Sequence, residues 1–136
     1  MANLYINLSV SDLAKATAFY EAIGFVKNEQ FSNEQASGMV YDETLSVMLL
    51  THDFMKTFLP TQKMIADSHN TSEVLIALQV SSKEAVDTLY DKALTAGGKP
   101  TIATQDHGFM YGKDFEDIDG HIWEVFWMDM SAVPQE

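Results

Sequence analysis

Glu124 stands in an alternating run, with Ile122, Glu124 and Phe126 toward one strand face and Trp123, Val125 and Trp127 toward the other. A carboxylate set between Ile122 and Phe126 is partly desolvated, and desolvation raises a carboxyl pKa. Such a group can act as a general acid/base, or it can anchor a cation or a hydrogen-bond donor. The alternative is an inert carboxylate, hydrogen-bonded to Tyr5 or Asn7. Tyr5, Asn7 and Ser9, together with Gln79, alternate along two further strands and offer both donors and acceptors for ligand recognition. An ordinary solvent-facing strand is equally polar. His107 and Tyr111 lie in a glycine-containing aromatic segment and would border a pocket, or His107 bonds backbone in a turn. His52 falls at the end of a strand. A divalent-metal site of His52, His107 and Glu124 requires folding to gather them, because their spacing carries no local signal. His121 should face away from Glu124, and His69 lies in a polar stretch. Phe109, Tyr111 and Phe126 are the aromatics assigned to a pocket; core packing accounts for most of the others. No phosphate-binding loop, dinucleotide glycine fingerprint, nucleophile elbow or paired-histidine zinc helix is present.

The elements that position these residues come from an internal repeat. Tyr5–Tyr20 and Leu75–Tyr90 align at a shift of 70 with five identities in sixteen positions. Each copy reads as an alternating strand, a serine-containing turn and an amphipathic helix ending at glycine. Ile6, Leu8 and Val10 form the apolar face of the first strand, and Ile76, Leu78 and Val80 that of the second. Ser11 or Asp12 should cap the first helix, and Ser81 with Glu84 reads as a capping box for the second. Gly24 and Gly97-Gly98 should end them. Strand-like segments follow at Phe25–Phe31, Ala36–Tyr41 and Leu45–Thr51, then at Pro100–Thr104, Phe109–Glu116 and His121–Met128. Asp42-Glu43 and Asp119-Gly120 are turn signals. Each half therefore reads βαβββ, an α+β plan. Asp53–Ser72 joins the halves, with one or two helical turns near Phe54, Met55 and Phe58. Both helices claim the Ile6/Leu8/Val10 and Ile76/Leu78/Val80 faces, so the Tyr5/Asn7/Ser9 face is left for a cavity.

Composition narrows the partners. The 136 residues carry 8 basic and 20 acidic side chains, a net charge of −12. That argues against nucleic acid and against an anionic membrane surface. It leaves open a neutral or cationic small molecule, or another protein. The chain has no cysteine, which excludes disulfides, thiolate nucleophiles and thiolate metal sites. The opening MANLYINLSV lacks a basic n-region, and no apolar run approaches the roughly 18 residues of a membrane span. A cytoplasmic protein is expected.

The strings V-S-D-L-A-K-A-T-A-F-Y-E-A-I-G-F (Val10–Phe25) and F-E-D-I-D-G-H-I-W-E (Phe115–Glu124) resemble the vicinal-oxygen-chelate superfamily. That group holds glyoxalase I, the bleomycin-resistance proteins and the extradiol dioxygenases. The resemblance covers about residues 4–128. The run Gln105–Gly112 is similar to a bacterial group labelled predicted lactoylglutathione lyase. It implies one domain over 1–136, with module one at 3–52, a connector at 53–72 and module two at 73–128. It implies two tandem βαβββ modules forming a half-open barrel with a central cavity, helices on the outer face, in a homodimer. The family's metalloenzymes place ligands on the first and last strand of each module. Those positions correspond to Tyr5, Leu49, Leu75 and Glu124. Leucine cannot ligate, and one carboxylate does not hold a divalent metal. The expectation is therefore a small-molecule-binding protein with no metal and no cofactor. Its ligand-binding set would be Tyr5, Asn7, Leu49, Leu75, Gln79, Phe109, Tyr111, Glu124 and Phe126. The alternative is a lactoylglutathione-lyase-type enzyme in which Glu124 is the catalytic acid/base, or in which a divalent metal sits in a rearranged site with His52 or His107.

Overall fold

The computed structural model describes residues 2–132. The chain divides into two compact units, 1–71 and 72–136. Both are α+β and carry one open sheet each.

In the first unit, β1 (Leu4–Val10), α1 (Leu13–Ala22), β2 (Val26–Asn28), β3 (Ala36–Val40) and β4 (Leu45–Thr51) build a sheet in the order β1-β4-β3-β2. β1 runs parallel to β4, and the other pairs are antiparallel. Asp12 caps α1, its carboxylate accepting from the Lys15 amide at 3.1 Å. The helix ends at Gly24, whose φ of +111° is the left-handed conformation that favours glycine. Ala16, Thr17, Phe19 and Tyr20 of α1 are buried. Thr17 and Ser37 share a buried hydroxyl hydrogen bond of 2.7 Å, so α1 lies on the sheet face to which Ser37 points. In register, Ser37 pairs with Leu49 and Leu49 with Leu8, which places Ile6, Leu8 and Val47 on that same helix-covered side. The β3–β4 turn is held by Asp42, whose Oδ1 accepts from the Thr44 and Leu45 amides. The expected strand Phe25–Phe31 is shorter than its pattern. Asn28 accepts from the Gln30 amide and turns Glu29–Phe31 into a single 3₁₀ turn. α2 (His52–Lys56) opens the connector.

In the second unit, β5 (Ile76–Gln79), α3 (Lys83–Thr95), β6 (Lys99–Pro100), β7 (Gln105–Asp106), β8 (Met110–Glu116) and β9 (Ile122–Met128) follow. The order is β5-β9-β8-β6, with β7 also on β8. The cap of α3 is Ser82, one residue beyond the expected Ser81; its hydroxyl accepts from the Ala85 amide at 3.0 Å. Val86, Leu89 and Ala93 of α3 are buried, as are Phe115, Trp123 and Val125 of the sheet. The expected strand Pro100–Thr104 is not continuous. Pro100 pairs with Phe115 and Gln105 with Gly112, so Thr101–Thr104 faces only Lys113 and Asp114 and loops out. The β8–β9 turn is built on Asp117, whose Oδ1 accepts from the Asp119 and His121 amides, with Gly120 at φ +90°. Among the described residues, no helix is long and apolar enough to cross a membrane.

Candidate functional site

Strand register decides which expected residues share a face, because paired residues on neighbouring strands point the same way. In the first unit, Tyr5 pairs with Ser46 and Asn7 with Met48, all on the side away from α1. Tyr5 and Asn7 are exposed and Met48 is half-buried. A shallow depression of about 30 Å³ lies there, with Tyr5, Phe31, Gly38 and Met48 in its wall. Phe31 rests against Gly38, where a Cβ would meet the Phe31 Cβ at 3.0 Å and the Met48 sulfur at 3.4 Å. Leu49 is not part of this face. It pairs with Leu8, is fully buried and packs on the helix-covered side. The register also shows why the repeat misled. Asn7 and Ala77 are equivalent at the shift of 70; Asn7 pairs with Met48 and Ala77 with Glu124. Met48, not Leu49, is the internal counterpart of Glu124.

In the second unit, Glu124 is half-buried on the face away from α3. Directly opposite it on β8 stands Asp114, which is 8% exposed. On its other side β5 presents Ala77, small enough to leave Glu124 open from that direction. Burial first, then the Glu124 charge and a hydrogen bond to it, raise the Asp114 pKa from 3.8 to about 6. Burial and a neighbouring like charge both favour the protonated form of a carboxyl group, which is the direction of the Asp114 shift. Phe126 continues the same face, flanked by Gly112 and Gln79. A Cβ at Gly112 would approach the Phe126 Cβ to 3.3 Å, so glycine leaves room for that ring. The sheet thus brings Glu124, Gln79 and Phe126 together. Leu75, one residue before β5, is exposed.

Two aromatic assignments resolve differently. Tyr111 is on the α3 side of the sheet, paired with Trp127. Its hydroxyl donates to Asp87 Oδ1 on α3 at 2.6 Å, and Lys113 Nζ sits 2.9 Å from the same oxygen. The hydrogen bond to Asp87 raises the Tyr111 pKa, and the bonds from Tyr111 and Lys113 lower that of Asp87. Tyr111 is therefore a tie between helix and sheet and does not line the open face. Phe109 lies in the turn ahead of β8, where its carbonyl accepts from the Asp129 amide at 2.7 Å. His107 is exposed in that same turn, its amide donating to the Met110 carbonyl. His52 is the first residue of α2.

Asp114 is the residue the sequence reading missed. A signal for it existed: counting outward from the Asp117–Gly120 turn pairs Glu116 with Ile122, and so Asp114 with Glu124.

The family model for the glyoxalase/bleomycin resistance protein/dioxygenase superfamily matches residues 4–125. The chain belongs to that superfamily. No curated protein matches it. Among solved structures, hypothetical protein SA1046 from S. aureus is similar at 28% identity and a TM-score of 0.77, over 93% of this chain and 94% of that one. A family enzyme from Burkholderia phytofirmans PsJN shares 21% identity with a TM-score of 0.71, covering 91% of this chain and 96% of its own. The fosfomycin resistance protein FosX from Listeria monocytogenes shares 21% identity with a TM-score of 0.67, over 100% and 94% of the two chains. These last two likenesses carry the fold alone.

The superfamily's metalloenzymes imply a divalent ion, and the donors present do not fit one. Of the four corresponding positions, Leu49 and Leu75 are hydrocarbon and Tyr5 is a neutral phenol. Met48, on the open face in place of Leu49, offers only a thioether. Among the described residues, no three His, Asp or Glu side chains gather where a metal could be held.

Proposed function

We propose that this superfamily member binds a small molecule on the open face of its second module, anchored by the Asp114–Glu124 pair, and that it does so without a resident metal. The observation that carries this reading is the pairing of two carboxyl groups across β8 and β9, with Asp114 buried beside Glu124. Glu124 accepts a hydrogen bond or a cationic head, while Phe126 and Gln79 supply an apolar wall and an amide beside it. A cation arriving at Glu124 favours loss of the Asp114 proton, so its affinity rises as pH passes upward through 6. A neutral donor does not require that release. The reading includes a cytoplasmic homodimer. The absence of cysteine agrees with that compartment. The exposure of Tyr5, Val26 and Phe31 in the first unit supports a partner surface.

A thermal-shift screen of cationic and neutral metabolites on wild type, Glu124→Gln and Asp114→Asn tests the reading. At least one compound should stabilise wild type and lose most of its effect in both variants. If none stabilises wild type, the binding role falls. Elemental analysis after dialysis against nickel, zinc and manganese should find no stoichiometric metal, and one bound ion per chain would overturn that part.

The burial of Asp114 beside Glu124 favours a second reading, because a carboxyl pKa pushed up to about 6 suits general acid/base work close to neutrality. Glu124 and Asp114 would then pass a proton in a lactoylglutathione-lyase-type isomerisation. Turnover of the methylglyoxal–glutathione hemithioacetal, abolished by Glu124→Gln, would select this reading over simple binding.

A further inference from the structure

The connector after β4 borders an open cavity of about 700 Å³ whose walls come only from residues between His52 and Asp67, most of them exposed. It belongs wholly to the first unit and uses no residue of either sheet. Its size falls within the range of roughly 300–1,000 Å³ typical of small-molecule sites. We propose that it is a second ligand site, for a small amphipathic anion: one charged head on an apolar body.

The apolar part of the wall is Leu59, Met64 and Ile65. Leu59 and Ile65 are half-buried, whereas Met64 is 89% exposed, an unbranched and adaptable side chain left without packing. The charged part is Lys56 and Lys63, with the His52 imidazole as a further donor. Only 8 basic side chains stand against 20 acidic ones in this chain, and two of the eight meet at this cavity. Neither lysine has an ion-pair partner among the described residues; the ion pairs found are Lys27–Glu29 and Lys113–Asp87. One carboxylate does reach the wall, that of Asp67. It is already engaged in its own turn. Its Oδ1 accepts from the His69 amide at 3.3 Å and its Oδ2 from the Asn70 side chain at 2.7 Å. Two ammonium groups against one carboxylate leave a net positive charge beside an unpacked apolar wall, complementary to an anionic amphiphile and unfavourable to a cationic one. The head could be a carboxylate or a phosphate, since both present oxygens to two ammonium groups.

Isothermal titration of the full chain tests this with decanoate, monodecyl phosphate and decyltrimethylammonium, each kept below its micelle threshold. Saturable one-to-one binding is expected for at least one anion and not for the cation. Decanoate alone would identify a carboxylate site, and the phosphate alone a phosphate site. The double variant Lys56→Glu/Lys63→Glu should weaken binding at least about tenfold, and Glu124→Gln should leave it unchanged. If charge reversal perturbs folding by circular dichroism, Lys56→Gln/Lys63→Gln carries the same test. Absence of saturable binding by both anions, equal binding of the cation, or an affinity indifferent to both lysine variants would each overturn the proposal.

Discussion

The two modules share a plan and differ in where they keep their polar chemistry. In the first, the notable polar contact is the buried Thr17–Ser37 bond under α1, and the open face carries Tyr5, Asn7 and the soft Met48. In the second, the helix side is tied by the Asp87–Tyr111–Lys113 network, and the open face carries Asp114 and Glu124. The strand–helix packing survived duplication, because apolar stripes on Ile6/Leu8 and Ile76/Leu78 demand it. The open faces were not bound by that demand. The equivalent positions Met48 and Glu124 show the result: a thioether in one module and a partly buried carboxylate in the other.

The most forceful way to break this comparison is to move a carboxylate into the first module. Leu49→Glu buries a charge among Leu8 and Val47 and should cost about 4 kcal/mol or more. Met48→Glu, on the open face, should cost no more than about 1 kcal/mol. Urea denaturation distinguishes them, and the reverse order would refute the register assigned here.

A smaller effect comes from Asp114. Its folded pKa is raised, so it binds its proton more tightly folded than unfolded. Stability from this group is therefore full below about pH 4 and declines as pH rises through about 6. Asp114→Asn keeps a donor toward Glu124 and removes the titration. It should stabilise the protein at pH 8 by on the order of 2 kcal/mol, and it should flatten the stability profile between pH 4 and 6.

Smaller still are the helix-side ties. Thr17→Val leaves the buried Ser37 hydroxyl without that partner and should cost about 1–2 kcal/mol. Tyr111→Phe leaves Asp87 with Lys113 and more solvent, and should cost about 0.5–1 kcal/mol. A larger loss for Tyr111→Phe would mean that the second module's outer network is the better buried of the two.

Much of this was legible before folding. Asp12, Gly24 and Gly97 announce the helix ends through capping and left-handed backbone, which are local matters. The repeat announced the βαβββ plan. What was not legible is pairing between strands. Met110–Glu116 reads M-Y-G-K-D-F-E, with Tyr111, Lys113 and Phe115 on one face and Met110, Gly112, Asp114 and Glu116 on the other; both faces carry charge, so alternation alone does not say which one the helix covers. The hairpin register settles it, and the same register brings Asp114 to Glu124. Leu49 was misplaced for a related reason: Val47-Met48-Leu49-Leu50 is apolar throughout, so a one-residue slip leaves no trace in the pattern.

The central claim is that Asp114, buried beside Glu124 on the open face of the second module, holds its proton more tightly than an ordinary carboxyl group. Carboxyl carbon NMR across a pH titration reads it directly, in wild type and in Glu124→Gln. An Asp114 midpoint near 6 is expected in wild type; it should fall only in part once Glu124 is neutral, because burial, the larger cause, remains. A wild-type midpoint at an ordinary 3.8, unmoved by Glu124→Gln, would contradict it.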